Sequence, residues 1–177
     1  VVRNHWDDRA KLIADESKLR SLHDRLLTSL TVVLNNLHNV NFSERYWQMI
    51  IGPWLVAYLG IIWDRWECIR ICLDEHAPTK TFNLVLNLEN EVPSGYASAI
   101  AWYLSDIWNH QLYADILNQI DVKGCEVIYL DGESERYDYD NSEVDVAPKS
   151  MATKFMVVTF IDKFLSKFLL TIKGIQV

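Results

Sequence analysis

Residues 38–69, HNVNFSERYWQMIIGPWLVAYLGIIWDRWECI, decide how the rest of the chain is read. The run is apolar with charges at its two ends. It holds four of the chain's seven tryptophans, a Gly52-Pro53 pair, and two arginines, Arg45 and Arg65, each beside an aromatic residue or an acid. Ser43 is placed to cap a helix, because a serine oxygen there accepts from a first-turn N–H that has no partner within the helix. Pro53 falls about ten residues in, where it removes a donor and crowds the carbonyl four residues back, so a kink or a restart is expected. Beyond it Trp54, Tyr58, Ile61, Ile62 and Arg65 share a broad face, and His76-Ala77-Pro78 should stop the helix after about residue 74. Fifteen residues, 49–63, carry no charge. That is short of the ~20 a bilayer core requires, and it includes Gly-Pro, so the stretch reads as a buried central helix and not as a transmembrane span.

Upstream, Asp7 and Asp8 suit the first turn of a helix, whose unpaired N–H groups favour negative charge. Leu19, Leu22, Leu26, Leu27, Leu30, Val33, Leu34 and Leu37 then recur at three- and four-residue steps, the signature of an amphipathic helix of about five turns. Downstream, residues 81–88 (TFNLVLNL) predict a strand, Pro93-Ser94-Gly95 a turn, and residues 96–120 one or two helices with Ser105 as an internal cap. Lys123-Gly124 ends that region, and residues 125–130 (CEVIYL) predict a buried strand. Residues 131–145 hold seven acids against one arginine and read as part of a solvated loop spanning 131–149. A calcium loop begun at Asp138 fails, since Glu143 stands where glycine is needed and Lys149 where the closing glutamate belongs. Residues 150–173 predict a last helix with Phe155, Val158, Ile161, Phe164, Leu165, Phe168 and Leu169 on one side, and residues 171–177 suit the start of a strand. The expected fold is α/β and helix-dominated: a few short, parallel strands packed by long helices, with a helical core over 6–76 and an α/β part over 80–177.

Composition narrows function by exclusion. At 177 residues, with half of them apolar, one domain or lobe can bury a core unaided. A net charge of −7 argues against the basic face that nucleic acid requires. Cys68, Cys72 and Cys125 form neither a disulfide framework nor, with any histidine pair, a zinc site, and buried reduced thiols are the simpler reading. No phosphate loop, nucleophile elbow, dinucleotide fingerprint or other cofactor motif is present. The sequence neither starts with methionine nor shows a signal peptide, and it closes where a sheet would continue. It therefore reads as a portion of a longer protein.

Chemistry must then rest on isolated polar groups. Arg45, flanked by Tyr46 and Trp47, can grip a carboxylate or phosphate while the rings stack on a sugar or base; equally, its stem can cover Trp47. Asp64 and Arg65, adjacent on a helix, point in different directions, so each is expected to find its own partner. Asp106 and His110 are four apart and can meet on one helical face, where a carboxylate would orient the imidazole as an acid/base group. They equally suit a helix-start charge pair.

The string H-N-V-N-x-S-x-R-Y-W-x-x-x-x-G-P-W-L over 38–55 and D-R-W-E-x-I over 64–69 resemble the transferase family encoded in bacterial O-antigen and surface-carbohydrate gene clusters. So do H-W-D-D-R-A-K-L over 5–12 and S-D-I-W-N-H-Q-L-Y over 105–113. The resemblance covers about the first 120 residues; Gln48 departs from it, standing where a basic residue is usual. It implies one lobe of a two-lobed, glycosyltransferase-like protein, with the donor site in a C-terminal lobe outside this sequence. It further implies a nucleotide-activated sugar donor and a glycan or lipid-linked acceptor. Its motif positions give candidate catalytic residues Asp106 and His110, and candidate binding residues Arg45, Tyr46, Trp47, Trp54, Asp64, Arg65, Trp108, Asn109 and Tyr113. The location it implies is cytoplasmic, with peripheral contact at the inner membrane face. The rival reading is a non-catalytic helical module whose Trp-rich face docks another domain or subunit, and a third is membrane attachment through the final Phe-rich helix.

Overall fold

The computed structural model describes residues 3–85, 96–120 and 124–131, which form a helix-dominated α/β chain. The predicted turn at 93–95, the acidic loop and the final helix lie outside the described residues. The chain divides into two compact units, Val1–Ala77 and Pro78–Val177.

The first unit is a helical hairpin. A short 3-10 turn, His5–Asp7, leads into α1, Arg9–His38, and α2 follows over Glu44–His76. Asp8 caps α1, its carboxylate accepting from Ala10 N at 2.8 Å and Lys11 N at 3.2 Å. The expected five-turn helix is thus one continuous 30-residue element. Asn39 closes it in the left-handed conformation (φ 52°), which asparagine tolerates better than most residues. Ser43 caps α2 as expected, accepting from Tyr46 N at 3.3 Å.

Asn35 staples the connection. Its amide donates to Phe42 O and accepts from Phe42 N, and its Oδ1 also takes the Trp47 indole N–H at 2.9 Å. Phe42, Tyr46, Trp47 and His38 stack around it. Contacts pairing Asn35 with Trp47, Thr28 with Glu44, and Lys11 with Glu67 fix the two helices as antiparallel neighbours. Leu22, Leu26, Leu27, Leu30 and Leu34 of α1 form the core with Leu55, Leu59, Ile62 and Trp66 of α2.

Two expectations change here. Of the kink or restart expected at Pro53, the restart does not occur: the helix is continuous to His76, and Pro53 is exposed. The stretch expected to be a buried central helix is buried along one face only. Met49, Ile50 and Val56 are more than half exposed. The reason is geometric: a two-helix unit offers each helix one partner, whereas α2 is apolar nearly all round.

In the second unit β1, Lys80–Val85, pairs in parallel with β2, Glu126–Asp131, in the register Phe82 with Ile128 and Asn83 with Tyr129. Parallel neighbours need a crossover, and helices α3, Tyr96–Tyr103, and α4, Asp106–Gln119, lie within it. Ser105 caps α4, accepting from Trp108 N at 3.2 Å, and α4 packs against β1. Gly124, at φ 84°, supplies the left-handed step before β2.

Candidate functional site

The charged end of the hairpin brings two sequence motifs together. Arg65 pairs with Asp64. Asp64 Oδ1 lies 3.2 Å from His5 Nε2, and His5 Nδ1 faces Asp15 Oδ2 at 3.8 Å. Asp15 accepts from Lys11 Nζ at 2.7 Å and from the Trp6 indole at 3.3 Å. Lys11 also meets Glu67 Oε2 at 2.9 Å; Glu67 takes both Nε and Nη2 of Arg70, and Arg70 Nη1 reaches Asp74 at 3.1 Å. A continuous polar chain therefore runs from Arg65 to Asp74, and its centre is dry. The His5 side chain is fully buried, and those of Asp15 and Glu67 are 3% exposed.

Burial alone would raise the carboxyl pKa of Asp15, but the Lys11 ammonium and the indole N–H groups of Trp63 and Trp6 outweigh it and hold it below the ordinary range. Glu67 is lowered in the same way, with Arg70 and Lys11 overcoming burial. Lys11 is raised, since its two carboxylates outweigh the burial that would lower it. Cys68, whose sulfur lies 4.0 Å from Asp64 Oδ1, is pushed up by burial and by that carboxylate, which keeps it a thiol. Lys11, Asp15 and Glu67 are thus each held in the charged form, an arrangement stable only because each of these buried charges has a partner.

The expectation that Asp64 and Arg65 do not pair is overturned. Their side chains leave the helix in different directions, but the long arginine stem bends back to the neighbouring carboxylate. His5, Lys11 and Glu67 stand inside the motifs at 5–12 and 64–69 but were not named as site residues, and Asp15 and Arg70 fall outside those motifs. The i,i+4 spacing of Lys11 to Asp15 and the i,i+3 spacing of Glu67 to Arg70 were visible signals, but the Lys11–Glu67 contact crosses 56 positions.

The other candidates lie apart from this cluster. Arg45 is exposed on the first turn of α2, twenty residues from Arg65 on one unbroken helix, which is about 30 Å at 1.5 Å per residue. The two arginines cannot grip the same small anion. Trp47 is buried and spends its N–H on Asn35, so it holds the hairpin turn. Tyr46 is half-buried beside it, and Trp54 stacks on Tyr58 with centroids 4.9 Å apart.

In the second unit Asp106, His110 and Tyr113 follow one face of α4, with Asp106 exposed and the other two half-buried. Asn109 is engaged by the backbone, donating to Tyr103 O at 2.9 Å and Ser105 O at 2.8 Å, while Trp108 packs on Tyr103. Asn109 and Trp108 therefore shape the α3–α4 corner. Among the described residues, no group of three or more metal-ligating side chains converges.

No curated protein and no solved structure matches the chain. A family model does: that of the LIC12162 family transferase aligns over residues 1–176. The two motifs that meet in the buried charge cluster, at 5–12 and 64–69, thus fall within a match that takes in both compact units, and the chain belongs to the LIC12162 family of transferases.

Proposed function

We propose that the chain serves a sugar transferase of bacterial surface-polysaccharide or O-antigen assembly, using a nucleotide-activated sugar and a glycan or lipid-linked acceptor in the cytoplasm. The observation that carries this reading is the transferase family match along residues 1–176, joined to the surface-carbohydrate motifs at 38–55 and 105–113. Glycosyl transfer breaks the bond from the anomeric carbon to the nucleotide phosphate and forms one to an acceptor oxygen. The acceptor hydroxyl loses its proton and the departing phosphate gains negative charge. Taken within the second unit alone, His110, with Asp106 one turn before it, has the chemistry for the proton transfer; Arg45, Tyr46 and Trp54 belong to the first unit and are taken by themselves. The exposed guanidinium of Arg45 suits the phosphate, as a planar fork of donors that stays charged. Trp54 and Tyr46 offer apolar ring faces to a sugar.

The test is transfer from a nucleotide-sugar panel by the purified protein. Arg45→Ala should reduce transfer by about a hundredfold or more, the scale of losing one electrostatic partner of the transition state. Because Arg45 is exposed, circular dichroism should be unchanged. The comparison is made in a full-length protein that carries the C-terminal donor lobe: turnover equal to wild type would remove Arg45 from the mechanism, and absence of transfer with every nucleotide sugar would refute sugar chemistry.

A further inference from the structure

The hairpin is polarised along its length. Across residues 26–63 only Glu44 and Arg45 are charged, whereas the other charged residues of the first unit fall at 3–25 and 64–75. Because α1 and α2 are antiparallel, those two charged segments lie together at one end, leaving the turn end almost without charge. Five of the unit's seven exposed large hydrophobic residues lie in that uncharged half: Val32, Phe42, Met49, Ile50 and Val56. Met49, Pro53 and Val56 follow one stripe of α2 at four- and three-residue steps, with half-buried Tyr46 and Trp54 beside it.

We infer that this outward face of α2 is a lipid-contact surface, lying in the plane of a membrane. The first argument is hydropathy against burial. An 18-residue window of α2 reaches a mean hydropathy of 1.2, enough by length and composition to cross a membrane, yet only 39% of that window is buried. The core helix of a water-soluble domain with such a composition hides most of it. The second argument selects lying over spanning. α2 is paired with α1, whose first half exposes Glu16, Lys18, Arg20, Asp24 and Arg25. Threading the charge-poor half through would carry Glu44 and Arg45, at its turn, across the bilayer, and the charge-free run of α2, residues 46–63, falls short of the ~20 residues a span needs. In-plane contact keeps those charges in water and covers the apolar stripe. Amphipathic rings such as Tyr46 and Trp54 favour the headgroup boundary, and Arg45 at the rim can meet lipid phosphate. The inference concerns where the protein works and stands whether or not sugar is its substrate.

The test is flotation of the full chain with vesicles of phosphatidylethanolamine and phosphatidylglycerol, alongside sedimentation velocity without lipid. Wild type should float. M49E/V56E, altered only at exposed positions, should lose vesicle partitioning by about tenfold or more with an unchanged circular dichroism spectrum. L12E/I13E, also at exposed positions but at the charged end, should float like wild type. Three outcomes would overturn the inference: wild type that does not float, equal losses in both variants, or a self-associated wild type that M49E/V56E converts to monomers without changing flotation. The last would assign the face to a second copy of the chain.

Discussion

Replacing Lys11 by methionine tests whether the buried charge cluster holds the hairpin together. Lys11 Nζ bridges Asp15 and Glu67, at 2.7 Å and 2.9 Å, and both carboxylates are 3% exposed. Methionine keeps the packing of the stem and removes the charge. Glu67 would retain the Arg70 fork, but Asp15 would lose its cation and keep neutral indole N–H donors and a facing imidazole. Breaking a buried pair costs about 3–5 kcal/mol, and since the Lys11 side chain is 27% exposed the expected loss is about 2–3 kcal/mol. For a chain of this size that lowers Tm by roughly 4–12 °C. K11M/D15N should recover most of it, because a neutral amide needs no counter-ion.

Denaturant titrations across pH give a second readout. Asp15 and Glu67 titrate below their ordinary values when folded, so their contribution is present above about pH 4 and is lost as pH falls through the lowered values. Lys11 titrates above its ordinary value; its contribution is complete below about pH 10.4 and is lost as pH rises through the raised value. K11M should therefore lack the Lys11 part of the alkaline limb and lose stability less steeply in acid. A Tm within about 1 °C of wild type, with both limbs unchanged, would refute the reasoning.

Two further outcomes follow from local geometry. Asn35→Ala removes the amide that bonds both backbone groups of Phe42 and the Trp47 indole, and should cost about 2 kcal/mol in chemical denaturation. A change below about 0.5 kcal/mol would show that the aromatic cluster holds the turn unaided. Gly60→Ala should stabilise the protein by about 0.5–1 kcal/mol, because Gly60 is in the middle of α2 and a Cβ there meets nothing within 4 Å. A lowered Tm would mean that another surface approaches that backbone.

Among the described residues the helices, the serine caps of α2 and α4, and the two strands were legible because each depends on neighbours in sequence. Ser43 and Ser105 announce helix starts through bonds three residues long, and CEVIYL, a short apolar run between turn signals, forms a strand as expected but not the buried one expected, since Tyr129 and Leu130 are exposed. Gly124 stands where the chain needs a left-handed step. The family motifs were also legible, but their roles were not. Trp47 looked like a stacking surface and instead donates to Asn35. Asn109 looked like a binding group and instead satisfies two carbonyls at a helix corner. A side chain's type states what it can bond, and only its neighbours decide whether that capacity is already used.

The sequence alone determined a charge-poor helix between two polar ends, a second helix of matching amphipathicity, and an α/β part with parallel strands. Residue periodicity and capping chemistry act over a few positions and are written in the chain. Tertiary structure decided the rest. It determined that α2 passes Pro53 without a break, and that Arg45 and Arg65 stand about 30 Å apart on one rigid element. It also determined that Asp64 belongs with His5 and Asp15, and that one face of the central helix is left uncovered. These outcomes depend on which surfaces two long antiparallel helices bring into register, and that information lies in contacts between residues dozens of positions apart.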